Sequence, residues 1–161
     1  MPEFILYPDP RLSQPATATG AIDDALRATG KRLFYAAKAA KAHGLAAVHI
    51  GEVAPIVVVG GGPDEYRLLF NPKVTAVSDG HEIGEEGSVS LPGVRANLDR
   101  PLWAEIAYQT DTGAAATERF NGFGARVVLH EIDQMNGIFF LDRLSRLKRD
   151  MALKKAKKRG G

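Results

Sequence analysis

Apolar and polar positions recur along this chain with two different periods. From Asp23 to about His43, Leu26, Leu33, Phe34 and Ala37 fall near helical spacing among many Ala and Lys, which predicts a first helix closed by Gly44. Residues 54–60, APIVVVG, are a short β-branched run and predict a buried strand. GGGPD at 60–64 predicts a turn, 66–72 a strand stopped by Asn71-Pro72, and 73–77 a third strand. A Gly- and Glu-rich loop is expected to follow. LWAEIAYQT at 102–110 alternates apolar with polar, Asp111-Thr112-Gly113 is a hairpin turn, and 115–120 is the partner strand. Val127, Val128, Ile132 and Met135 give 124–136 a helical period that ends at Gly137, a C-cap. A short basic helix is predicted over 144–156. Residues 4–12 read as an extended N-terminal arm ending in a Pro-rich turn. Strands set between two helices, with no internal repeat and no linker, make this one α+β domain.

Length and composition narrow the function classes. The chain has 161 residues, enough for one substantial core. No run of about 18 apolar residues occurs, so no membrane partner is expected. The N-terminus lacks a basic stretch followed by an apolar one, and a cytoplasmic location is expected. The absence of cysteine excludes disulfides, a thiol nucleophile and every thiolate metal site. Charge is uneven. Residues 146–161 carry eight Lys or Arg and one Asp, whereas residues 1–145 carry 13 basic and 18 acidic side chains. The expected division is a body over 1–145 and a basic helical tail over 146–161. An acidic body does not read as a DNA-binding domain, but the tail could touch RNA.

Three segments carry candidate chemistry: HGLAAVHIG at 43–51, EEGSVSLPG at 85–93 and LHEIDQMNG at 129–137. His130-Glu131 on a helix is the first half of the pattern in which two imidazoles at i and i+4 bind one metal and the intervening Glu serves its bound water. Here i+4 is Gln134, a neutral amide and a poor ligand for a transition metal. The pair alone is most simply an exposed helical pair.

Together, in this order and spacing, the segments resemble the peptide deformylases, which remove the formyl group from the N-terminal Met of new bacterial proteins. PDPRL at 8–12, NPKV at 71–74 and IFFLDRL at 138–144 extend the resemblance over nearly the whole chain. It implies the deformylase fold, mostly antiparallel strands packed around the helix that carries the His-Glu motif. In the first motif Gly44, Ala46 and Ala47 match, Ala42 replaces a Gly, and His49 replaces a Gln that donates to the formyl oxygen. In the second, Glu86, Gly87 and Ser90 match, Ser88 replaces the metal-binding Cys, and the Val89 N–H holds the position of a second oxyanion donor. In the third, His130 and the general base Glu131 are kept, while Gln134 replaces the second His ligand. The resemblance also marks Gly44 and Arg95 as substrate-binding positions.

Two of the three implied metal ligands are therefore changed, leaving Ser88, His130 and Gln134 as a vestigial set. A hydroxyl resists deprotonation far more than a thiol. No bound cofactor is expected, or at most an iron, zinc, cobalt or nickel ion held weakly at His130. The leading expectation is a deformylase homologue without the standard metal-dependent activity that binds N-terminal Met-like or formyl-Met peptides. The alternatives are an active deformylase with an altered site, in which His49 and His130 share a metal with Glu131, a metal-free hydrolase with Ser88 as nucleophile and His49 or His130 as base, and a structural or partner-binding domain with a closed cleft. Bland roles are expected elsewhere: His43 at a helix end, His81 exposed, Asp133 a structural hydrogen-bond partner, and Trp103, Phe123, Phe139 and Phe140 in the core. The tail reads first as a solvated helix end, with an electrostatic contact to ribosomal RNA as the alternative.

Overall fold

The computed structural model describes residues 3–60 and 65–160, so most of the turn expected at 60–64 lies outside the described residues. β1 (Gly44–Ala46), β2 (Ile56–Val59), β3 (Arg67–Val77), β6 (Trp103–Gln109) and β7 (Ala115–Asn121) form an antiparallel sheet in the order β1-β2-β3-β6-β7. β4 (His81–Ser88) and β5 (Leu91–Pro101) pair with each other as a separate two-stranded ribbon. Three α-helices complete the chain: α1 (Asp24–Ala40), α2 (Gly122–Met135) and α3 (Arg146–Gly160).

The large sheet is covered on both faces. Val57 and Val59 of β2 face a core shared with Val128, Leu129 and Ile132 of α2. Ile56 and Val58, pointing the other way, join a second core with Leu26, Leu33 and Ala37 of α1. A strand buried on both sides must be apolar at every position, which is why β2 reads as an unbroken run. α1 begins where the Asp23 carboxylate accepts from the Leu26 N–H at 2.8 Å. It lies close to the sheet because Gly30 has no side chain; a Cβ there would fall 2.9 Å from the Phe70 ring.

The pattern misplaces two features. The strands expected over 66–72 and 73–77 are one strand, β3, with a register shift between Phe70 and Lys73. Asn71 takes the left-handed conformation there, and its side-chain amide binds Thr19 and Gln109. The backbone irregularity absorbs Pro72 without ending the strand. The expected loop after residue 77 is the β4–β5 ribbon. Its inward positions include Glu86 and Arg100 as well as Val94 and Leu98, so apolar alternation is weak.

The basic helix begins at Arg146 and runs to Gly160, with Ala152 and Leu153 packed against the main core. No helix among the described residues is long and apolar enough to cross a membrane. Phe139 and Phe140 lie in the core as expected. Phe123 does not: it is 60% exposed at the start of α2. Trp103 is half-buried, with the Arg119 guanidinium 3.8 Å above its ring.

Candidate functional site

A cleft of about 310 Å³ opens where β1, the β4–β5 ribbon and α2 meet. Its walls include Gly44, His49, Glu86, Ser88, Val89, Arg95, His130 and Glu131, so the sequence-predicted residues converge on one cavity with a single exception. Gln134 does not line it. The Gln134 side chain is buried, and its amide donates to the Leu12 carbonyl at 2.8 Å, tying α2 to the N-terminal arm.

Gly44 brings β1 against α2. A Cβ at this position would lie 2.7 Å from Val127 Cγ1 and 3.0 Å from Glu131 Cγ. β1 is an edge strand of the sheet, and Gly44 and Leu45 border the cleft. A short 3-10 turn after β1 carries His49 inward. His49 Nδ1 accepts the Ala46 N–H at 3.0 Å. Burial, reinforced by the charge of His130, pulls the His49 pKa down to about 3. The ring is therefore neutral near pH 7, and with Nδ1 as acceptor its proton sits on Nε2. That Nε2 is buried without a hydrogen-bond partner.

Glu131 is the neighbouring orphan. Its Oε1 is buried without a partner and lies 3.8 Å from His49 Nδ1, beyond hydrogen-bond range. Burial raises its pKa to about 7; Glu86 pushes the same way, and His130 and Arg100 oppose. His130 Nδ1 lies 2.7 Å from Glu86 Oε1. Burial alone would lower the His130 pKa, but Glu131 and Glu86 outweigh it and the net direction is upward. Glu86 itself is held to about 2: burial would raise it, but Arg100 and His130 dominate. Because Glu86 is ionised, His130 Nδ1–H is the donor and Nε2 is the ring nitrogen left for the cleft.

Ser88 Oγ accepts the Ser90 N–H at 3.1 Å, and no hydrogen bond among the described residues joins it to His49 or His130. Arg95 stands exposed at the rim, paired with Glu85 at 3.0 Å. His43 also lines the cleft, edge to face with Phe123 at 4.9 Å. Among the described residues, no group of three or more His, Asp or Glu side chains is placed to hold a metal ion.

A family model described as polypeptide deformylase matches residues 1–150. The chain belongs to that family. A peptide deformylase-like protein of Agrobacterium fabrum is 40% identical over 152 residues, covering 94% of this chain and 93% of the relative. A peptide deformylase of Brucella suis is 35% identical, covering 96% and 91%. A solved deformylase of Legionella pneumophila superposes with a TM-score of 0.91 at 30% identity, covering 99% of this chain and 95% of that one. An Ehrlichia chaffeensis deformylase solved in complex with actinonin gives 0.88 at 32%, covering 98% and 96%.

Beneath the deformylase motifs lies an ion network that the sequence did not announce. Glu86 accepts from Arg100 Nε and Nη2, each at 2.9 Å, and from Arg126 Nη1 at 2.9 Å. Arg100 Nη1 reaches Asp133 at 2.7 Å, and Arg143 grips the same carboxylate with two bonds. Asp133 is the structural partner expected of it. Arg100 and Arg126 carried no sequence signal, because a charge in a strand or helix ordinarily marks a solvated face.

Proposed function

We propose that this deformylase-family chain binds the N-terminal end of a peptide, Met-like or formyl-Met, and lacks the family's standard metal-dependent removal of the formyl group. The observation that carries the reading is the donor set at the motif positions. Those positions offer one imidazole nitrogen of His130, a Ser88 hydroxyl and the amide of Gln134, whose N–H is committed to Leu12. Neutral oxygens beside a single imidazole do not fit a structural or catalytic transition-metal site. In the family such a metal would acidify the attacking water.

Other features support peptide binding. An edge strand borders the cleft, and an extended chain can add to such an edge. The protonated Nε2 of His49 is a buried donor without a partner, so a ligand carbonyl oxygen would satisfy it. The Val89 N–H is a second donor position for the same oxygen. Glu131 Oε1 would accept an N–H of the peptide terminus. The exposed basic residues of α3, among them Lys154, Lys155 and Lys158, form the surface for ribosomal RNA.

A second reading, an active deformylase with an altered site, is favoured by Glu131. The general base is retained, faces the cleft, and has a pKa near 7, where a base works best at neutral pH.

The test is hydrolysis of a formyl-Met peptide under anaerobic conditions with iron, cobalt or zinc supplied, alongside calorimetric titration of the same peptide. The control combines Ser88→Cys, Gln134→His and His49→Gln. An imidazole at 134 keeps a donor for Leu12 and frees its second nitrogen. The expected result is peptide binding without turnover in the natural chain, and turnover in the restored one. Family-like turnover by the natural chain would establish the second reading instead.

A further inference from the structure

We propose that Arg126 plugs the side of the cleft between α2 and β4, so that the bound peptide begins with a short side chain rather than the long thioether of Met. This rests on the peptide-binding part of that reading and replaces its Met-led ligand with one led by a shorter side chain.

Arg126 lies one helical turn before His130, on the same face of α2, and lines the cleft with its side chain 10% exposed. Its guanidinium is tied to both strands of the ribbon. Nη1 donates to Glu86 Oε2 and the Leu98 carbonyl, each at 2.9 Å, and Nη2 donates to the Glu82 carbonyl at 2.8 Å. A longer approach of 3.4 Å reaches the Gly84 carbonyl. Displacing the group would strand these acceptors, so it behaves as a fixed wall rather than a mobile side chain.

The wall fills a space that a side chain at position 84 would otherwise take. A Cβ built on Gly84 would lie 2.8 Å from Arg126 Cζ and 2.9 Å from Nε and Nη2. Arg126 lines the cleft and Gly84 does not. Gly84 and Arg126 are thus a matched pair, one giving up the volume that the other occupies. A ligand whose terminus sat at His49 and Glu131 would have Val127 and Arg126, which line the same cleft, as neighbours of its first side chain. A long apolar chain there meets a hydrogen-bonded cation in place of an open apolar slot.

The test is titration calorimetry with Ala-Ala-Ser and Met-Ala-Ser, each with a free and a formylated N-terminus. It is run on the natural chain, on Arg126→Ala and on Arg126→Gln, which keeps a donor for the ribbon carbonyls. The natural chain should bind the Ala-led peptides about fivefold or more tightly than the Met-led ones, and opening the slot should reverse that order. Equal or tighter binding of the Met-led peptides by the natural chain overturns the plug, whether or not the variants fold. So does a ratio left unchanged in both folded variants. If none of the four peptides binds, the peptide-binding reading falls first and this inference falls with it.

Discussion

Gln134 shows how one residue can stand at a motif position and serve a different end. Its spacing from His130 marks it as a ligand position, yet its amide is spent on the Leu12 carbonyl inside the core. Removing the amide strands a buried acceptor and leaves a cavity, so Gln134→Ala should cost roughly 3 kcal/mol in urea unfolding. Ser88→Ala, which loses one acceptor for the Ser90 N–H at the edge of the cleft, should cost about 1 kcal/mol or less. Equal costs would mean that the tie to Leu12 does not hold the arm. The residue types at 88, 130 and 134 were legible in the sequence, and so was the loss of thiolate and imidazole donors. The direction in which Gln134 points was not, because its partner is a backbone carbonyl 122 positions away.

Elements were legible in proportion to how much apolar surface they bury. β2 and α2 read clearly because each presents continuous or periodic apolar positions to a core. The β4–β5 ribbon was invisible because its inward side carries Glu86 and Arg100 against Arg126, a satisfied polar interior with no hydrophobic period. Phe123 was misread for the converse reason: an aromatic residue usually goes inside, but here it edges the cleft beside His43. α3 was legible as a basic helix. Among its described side chains, Arg146, Lys148, Lys154, Lys155, Lys157 and Lys158 are exposed, while Ala152 and Leu153 fix the opposite side to the core. If this surface meets ribosomal RNA, the logarithm of the binding constant should fall linearly with that of salt concentration. Replacing Lys154, Lys155 and Lys158 with Gln should flatten the slope by about two. Salt-independent ribosome binding in a sedimentation assay, or none at low salt, would remove the RNA role of α3.

At the scale of the molecule, the buried charges join α2, both ribbon strands and the segment after α2 into one unit, and their opposed pKa shifts set its response to acid. Glu131 is raised to about 7 from 4.5, so the folded state holds a proton that the unfolded chain releases, and stability is gained as pH falls from 7 to 4.5. His130, shifted upward from 6.5, likewise favours the folded state on the acid side of its transition. His49 acts in the other direction. Buried neutral with a pKa of about 3, it costs stability progressively as pH falls from 6.5 to 3. Glu86, held to about 2 against 4.5 when unfolded, contributes stability above 4.5 that is lost as pH falls toward 2. Above 6.5 Glu131 and His130 both gain as pH falls, between 6.5 and 4.5 the gain of Glu131 offsets the loss of His49, and below 4.5 the gain from Glu131 is complete and two losses run together. Unfolding free energy measured in urea should therefore be greatest between about pH 4.5 and 6.5 and fall steeply below 4.5. His49→Gln removes the imidazole loss, so stability should rise down to about pH 4.5 and then fall with a shallower slope, from Glu86 alone. Glu131→Gln removes the main opposing gain, so the decline should begin near pH 6.5. A natural chain whose stability still rises from pH 4.5 to 3 would show that Glu86 and its arginines do not anchor the cleft to α2.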